Sequence, residues 1–205
     1  MTLPAIKAER METPREDHYV HLSEVSWDDY ERLLEIRGER AVPRISYLQG
    51  LLEIMSPTRT HESIASIIGC LIEAWCLDRG IEFSTCGRWT IKDEESERGC
   101  EPDECYVFGT EDSPRPHLAI EVVWTSGGID KLEIYRELGV AEVWYWKRGT
   151  LRAHALREDG YHPVPRSQFL PGLDLDLIAS FVDAPTTSQA IRGFREAIAG
   201  RDSEG

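Results

Sequence analysis

Hydrophobic and polar positions along this chain alternate with two distinct periods, and each predicts its own kind of element. From Thr60 to Arg79, the residues Ile64, Ile67, Ile68, Leu71, Ile72 and Trp75 recur at helical spacing, and Gly80 supplies a C-terminal cap. An earlier helix starts at Ser26, where Ser26 and Asp29 form an S-x-x-D capping box before Tyr30, Leu33 and Leu34, and it ends at Gly38. The runs Arg44–Leu48 and Leu51–Met55 flank Gln49-Gly50 as a hairpin, which Ser56-Pro57 ends. Further β-like runs occupy Ile81–Cys86, Arg88–Lys92 and Cys105–Phe108, with an acidic loop over Asp93–Gly99. The most apolar strand is Leu118–Trp124, and Pro114 and Pro116 punctuate the approach to it. A loop with Gly127-Gly128 leads to a helix over Asp130–Leu138, capped by Gly139. Strands Val140–Trp146 and Leu151–Leu156 follow around a Gly149-Thr150 turn, and Leu175–Val182 and Ser188–Ile198 close the chain as helices. This order predicts an α/β (α+β) fold, a mixed β-sheet flanked by helices.

At 205 residues the chain has room for one domain with a real core, expected over 21–200 after an N-terminal arm at 1–20. Charged residues at 29% and hydrophobic residues at 41% are ordinary for a soluble globular protein, and a cytoplasmic location is expected. No stretch approaches the roughly eighteen apolar residues of a membrane span, and Met1 to Asp17 lacks an apolar signal segment. The five cysteines (Cys70, Cys76, Cys86, Cys100 and Cys105) are odd in number and lie within predicted elements, which fits reduced thiols. Cys100 and Cys105 lack C-x-x-C spacing, so no structural zinc site is expected. Charge changes the picture more: 37 acids against 23 Lys and Arg give −14, a field that opposes a polyanion.

Three residues carry candidate chemistry. Glu121 sits within Leu118-Ala119-Ile120-Glu121-Val122-Val123-Trp124, where strand alternation sets Ala119, Glu121 and Val123 on one face. A carboxylate in such a covered strand needs a partner, either a metal ion, a lysine or an arginine at the strand end. Lys131 shares a helical stripe with Ile134, Tyr135 and Leu138, so it faces the core from a first turn whose dipole disfavours a cation. Either a carboxylate or phosphate lies within its reach, or its stem snorkels along the core. Asp103 follows Pro102, which by itself is a turn signal. Together, two acids and an inward lysine can converge in a mixed sheet, and paired carboxylates suit Mg²⁺, which takes oxygen ligands.

In order along the chain, Glu53-Ile54-Met55-Ser56-Pro57 with His61, Pro102-Asp103, Ile120-Glu121-Val122, Asp130-Lys131, Tyr135, Gly139-Val140 and Glu142-Val143-Trp144 resemble the Uma family of restriction-endonuclease-like domains. That family is bacterial and belongs to the PD-(D/E)XK nuclease superfamily. The resemblance spans about residues 25–182. It implies a restriction-endonuclease-like core with Asp103 and Glu121 as metal ligands for Mg²⁺ (or Mn²⁺) and Lys131 as the catalytic lysine. The superfamily's usual E-x-K would place lysine at position 123, which is Val123 here, and Lys131 on the next helix matches the family's alternative. The loop Thr125–Ile129 is shorter than the family's S-P-rich segment.

Glu53 and His61 are candidates for the rim of the same site, and His61 alone also reads as a plain helix-start residue. Trp144 and Trp146 share a strand face, which fits core or a subunit interface better than base stacking. Two functions follow. One is a Mg²⁺-dependent endonuclease hydrolysing DNA phosphodiesters, with a homodimer expected because a duplex has two strands to cut. The other is a catalytically inactive module that keeps the fold and binds a protein partner, which the −14 charge favours.

Overall fold

Local rules written in the sequence set most element boundaries in the computed structural model, which describes residues 16–87, 89–124 and 128–204. In chain order the elements are β1 (His18–Leu22), α1 (Trp27–Arg37), β2 (Arg44–Leu48), β3 (Leu51–Ser56), α2 (Arg59–Arg79), β4 (Phe83–Thr85), β5 (Ile91–Asp93), β6 (Arg98–Cys100) and β7 (Glu104–Phe108). They continue with β8 (Leu118–Val122), α3 (Lys131–Glu137), β9 (Glu142–Lys147), β10 (Thr150–Arg157), β11 (Gly160–Val164), α4 (Leu175–Phe181) and α5 (Thr187–Glu204). Ser26 caps α1 as its pattern predicts: its Oγ accepts from the Asp29 N–H at 3.2 Å and donates to the Asp29 carboxylate at 2.7 Å. Thr58 caps α2 by accepting from the His61 N–H, and Gly80 ends that helix in the left-handed region at φ 63°. Asp130 caps α3, its carboxylate accepting from the Leu132 and Glu133 N–H groups.

The strands form two sheets where the hydrophobic pattern predicted one. The first has the order β1-β3-β2-β6-β5 and is antiparallel throughout. The second runs β11-β10-β9-β8-β7-β4, with β8 and β9 parallel and the other neighbours antiparallel. The second sheet is therefore the predicted mixed sheet flanked by helices. The first was hidden because half of it lies where the sequence offers no alternation. β6 falls in the segment expected to be an acidic loop, and β1 begins inside the expected N-terminal arm. The remainder of that arm, residues 1–15, lies outside the described residues, as do Arg88 and the loop positions 125–127. β11 was also unpredicted; it pairs with β10 at the sheet edge and tolerates Pro163 there.

Each face of the second sheet has its own core. Leu118, Ile120, Val122, Trp144, Trp146, Leu151 and Ala153 pack on α2, α4 and α5. Ala119 and Val143, on the opposite face, pack with Ile134 and Tyr135 of α3, with its C-cap Leu138, and with Ile91 and Cys100 of the first sheet. Trp144 and Trp146 are 0% and 4% exposed, so both belong to the chain's own core. A third cluster, Tyr30, Ile45, Tyr47 and Leu52, fastens α1 to the first sheet, with the Tyr30 and Tyr47 rings stacked at 5.0 Å. Among the described residues no helix is long and apolar enough to cross a membrane.

The parallel step from β8 to β9 requires a crossover, and α3 is that crossover. The N-terminus of α3 consequently lies beside the C-terminal end of β8. This one connection positions the candidate site.

Candidate active site

All five residues of β8 are buried, and alternation sends Ala119 and Glu121 to the face under α3. Glu121 is 1% exposed, so its carboxylate depends on protein partners. α3 provides both. Lys131 Nζ donates to Glu121 Oε2 at 2.6 Å, and the Tyr135 hydroxyl donates to Oε1 at 2.5 Å. Residues 131 and 135 are one helical turn apart and project together onto one face, which lets a single helix clamp both carboxylate oxygens. Burial pushes the Lys131 ammonium down, but the Glu121 charge and hydrogen bond outweigh it and hold the group above the ordinary lysine value. Tyr135 is driven far above the usual phenol range, first by burial and then by the charges around it. Lys131 thus reaches Glu121 directly across the short loop.

Asp103 lies just outside the start of β7, where its N–H donates to the Ile120 carbonyl at 3.2 Å. Its side chain is fully enclosed. Oδ2 accepts from the Val122 N–H at 2.7 Å and lies 2.8 Å from His61 Nε2, while Oδ1 is ion-paired with Arg44 of β2. Asp103 and Glu121 therefore meet on adjoining backbone, since Val122 follows Glu121 directly. His61 bridges inward: its Nδ1 lies 2.7 Å from Asp17 Oδ2, and the other Asp17 oxygen accepts from the Thr58 N–H. Burial raises the Asp17 carboxyl, but the bonds from His61 and Thr58 prevail and keep it below its ordinary value. His61, expected at the rim, is instead buried at 0% exposure as a brace for Asp103. In the sequence it passes as a helix-start position, and only the packing of α2 against β8 turns it inward.

A cavity of about 720 Å³ opens over this face of the second sheet. Glu121 and Lys131 line it, together with Glu53, Tyr19 and His21 from the first sheet and Tyr145 from β9. Glu53, a rim candidate in the sequence, faces the same cavity as Glu121; its Oε2 lies 2.8 Å from His21 Nε2 and accepts from the Ile129 N–H at 3.3 Å. Asp103 does not line the cavity and stands behind it. Tyr19, held half-buried, is pushed up to about 12 by burial and by the Asp17 carboxylate. Tyr19, His21, Arg44 and Tyr135 escaped the sequence reading as site residues. Of these, only Tyr135 left a signal, by sharing the stripe of Lys131.

Among the described residues, no group of three or more His, Cys, Asp or Glu side chains is gathered where a metal ion could sit. The donors present are carboxylate oxygens on adjoining backbone, and the cavity gives Glu121 access to incoming ligands. Mg²⁺ is ordinarily held by one or two carboxylates, with water and substrate phosphate completing the shell. Glu121, which lines the cavity, could supply one such carboxylate, whereas Asp103 would join it only by releasing Arg44 or His61. A family model, Uma2, described as "putative restriction endonuclease", matches residues 27–185 of the chain. No curated protein matches the chain.

Proposed function

Because the chain belongs to the Uma2 family, we propose that it is an endonuclease that hydrolyses DNA phosphodiester bonds at the Glu121–Lys131 end of the cavity. In this reading Asp103 and Glu121 would hold Mg²⁺, or Mn²⁺ in its place, and Lys131 is the catalytic lysine. The single observation that carries it is the Glu121–Lys131 pair at 2.6 Å, on the floor of an open cavity in an otherwise apolar strand. A structural ion pair gains little from such a location, since similarly sized apolar residues would be as stable there.

The chain's own residues divide the work. Tyr135 fixes Glu121 by its hydroxyl and orients the free face of that carboxylate to the cavity. Arg44 offsets the charge of Asp103 inside the fold, and His61 holds the same carboxylate in place from α2. Lys131 directs an ammonium at the position of the scissile phosphate, where it donates to a non-bridging oxygen as negative charge grows. Glu53, facing the same cavity, accepts a proton from an attacking water or orients it. Mg²⁺, if held there, would supply Lewis-acid stabilisation of the charge that grows on phosphorus.

The test is cleavage of supercoiled plasmid DNA with Mg²⁺ by the wild type and by Glu121→Gln and Asp103→Asn. The variants are expected to lose activity by a factor on the order of a hundred or more. Equal cleavage by all three proteins would refute the assignment. A second reading, an inactive module that binds a protein partner, is favoured by the −14 charge and by the cations that already neutralise both carboxylates. Calorimetric titration separates the two: Mg²⁺ or Mn²⁺ binding that the Asp103→Ala, Glu121→Ala double variant lacks supports the nuclease.

A further inference from the structure

A protein of this charge should pair its cations wherever it can, and across much of the surface it does. Lys92 meets Glu31, Arg98 and Arg136 meet Glu133, Arg195 meets Asp78 and Arg201 meets Asp174. Other cations, among them Arg59, Arg115 and Arg192, also stand outside ion pairs with described residues, but only the β9–β10 hairpin gathers three of them around the cavity of Glu121 and Lys131. Lys147, Arg148 and Arg152 all line the cavity of Glu121 and Lys131, and none forms an ion pair with another described residue. Three neighbouring cations without carboxylates, in a chain with 37 acids and 23 Lys and Arg, mark a place reserved for an external anion.

The sheet register aims these cations at the candidate active site. Glu121 stands opposite Tyr145, and Tyr145 stands opposite Arg152, so the three form one row across β8, β9 and β10. Strands lie about 4.8 Å apart, which puts Arg152 some 10 Å from Glu121 along that row. Lys147, opposite Thr150, lies one row further on the same face. This reach exceeds a single phosphodiester group. Arg152 also borders a second cavity of about 430 Å³, whose lining mixes Arg166 and Arg201 with Asp174 and Asp176, so the excess of unpaired cations belongs to the first cavity.

The turn itself supplies a second, independent observation. Arg148 and Gly149 occupy its two central positions at φ 50° and φ 80°. Both being left-handed makes this the hairpin turn in which Asn, Asp or Gly is ordinary at the first position. An arginine there costs about 1 kcal/mol of backbone strain. A residue held against local preference, beside a cavity and without an ion-pair partner, is placed for its side chain.

We propose that Lys147, Arg148 and Arg152 bind the sugar–phosphate backbone of duplex DNA beside the bond presented to Glu121 and Lys131, and so select polynucleotides over small phosphoesters. This rests on the nuclease reading for its substrate, and its test is a binding measurement that requires no cleavage. Fluorescence anisotropy of a labelled duplex, without divalent ions and across a NaCl series, compares three proteins. These are the wild type, the triple variant Lys147→Gln, Arg148→Asn, Arg152→Gln, and a control with the same charge change at Lys92, Arg136 and Arg195. The triple variant is expected to bind at least about tenfold more weakly, with a log–log salt slope smaller by roughly 2–3, since each phosphate contact contributes about 0.9. The control is expected to retain most of the affinity, because its cations already have carboxylate partners. Arg148→Asn alone should bind more weakly while melting at a higher temperature, which separates lost contact from lost folding. Equal affinity and slope in the triple variant and the control, or a wild type that binds no duplex, would overturn the proposal. A wild type that binds through these residues yet cleaves nothing supports this surface and removes the nuclease reading instead.

Discussion

Replacing Lys131 with methionine tests whether the Glu121–Lys131 pair is held for chemistry. The substitution preserves an apolar stem of similar length but leaves a carboxylate that is 1% exposed with only the Tyr135 hydroxyl as partner. Removing one member of a buried pair ordinarily costs ~3–5 kcal/mol. The Lys131 side chain retains 13% exposure on the cavity side, so water can enter and partly solvate Glu121. We therefore expect the lower end, about 3 kcal/mol at pH 8. The double variant Glu121→Gln, Lys131→Met removes both charges, and the amide oxygen of the substituted side chain keeps an acceptor for Tyr135. It should return to within about 1 kcal/mol of the wild type, because the desolvation cost of both ions disappears with their attraction. Urea denaturation of the four proteins of this cycle reads the result directly. With a urea dependence of about 2 kcal/mol per molar, the single variant should lose roughly 1.5 M in midpoint. A double variant as unstable as Lys131→Met would show that the pair is a structural element and would refute its retention for catalysis.

Two further outcomes depend on pH. Burial, with the neighbouring Glu73 carboxylate, pushes Glu104 up to about 7. Its folded form favours the neutral acid, so the stability it allows is complete below the ordinary carboxylate range and is lost as pH rises through about 7. Glu104→Gln should thus stabilise the protein by about 1–2 kcal/mol at pH 8, after discounting for solvent screening, and change nothing near pH 4.5; an equal gain at both would refute this origin. Asp17 has the opposite sign. Its lowered value means a contribution present above its ordinary pKa of 3.8 and lost as pH falls through the folded value. Asp17→Asn is expected to cost about 1–3 kcal/mol at pH 7, with the difference from wild type closing as the pH is taken below 3.8. A gap that stays constant across denaturation curves at these pH values would mean that the His61 bridge contributes through packing alone.

What the sequence determined by itself is local. The caps at Ser26 and Gly80, the hairpin at Gln49-Gly50 and the helical stripe of Lys131, Ile134, Tyr135 and Leu138 all appear where neighbouring residues dictate them. The same holds for Glu121, because a single carboxylate among apolar neighbours is a local anomaly that demands a partner whatever the fold. The pairing of Glu121 with Lys131 was within reach of such reasoning, as ten positions and one loop separate them. Tertiary structure decided the rest. β1 and β6 become strands only because β3 and β2 offer them unpaired backbone edges, and nothing in their own side chains announces it. Asp103 acquires Arg44 from β2 and His61 from α2, partners 59 and 42 positions away, through the packing of those elements. The row Glu121, Tyr145, Arg152 exists through register, which a shift of one residue would turn to the other face. Periodicity reports which face a residue occupies, and a buried charge reports that it has a partner; which side chain fills that role is fixed only when the sheets close.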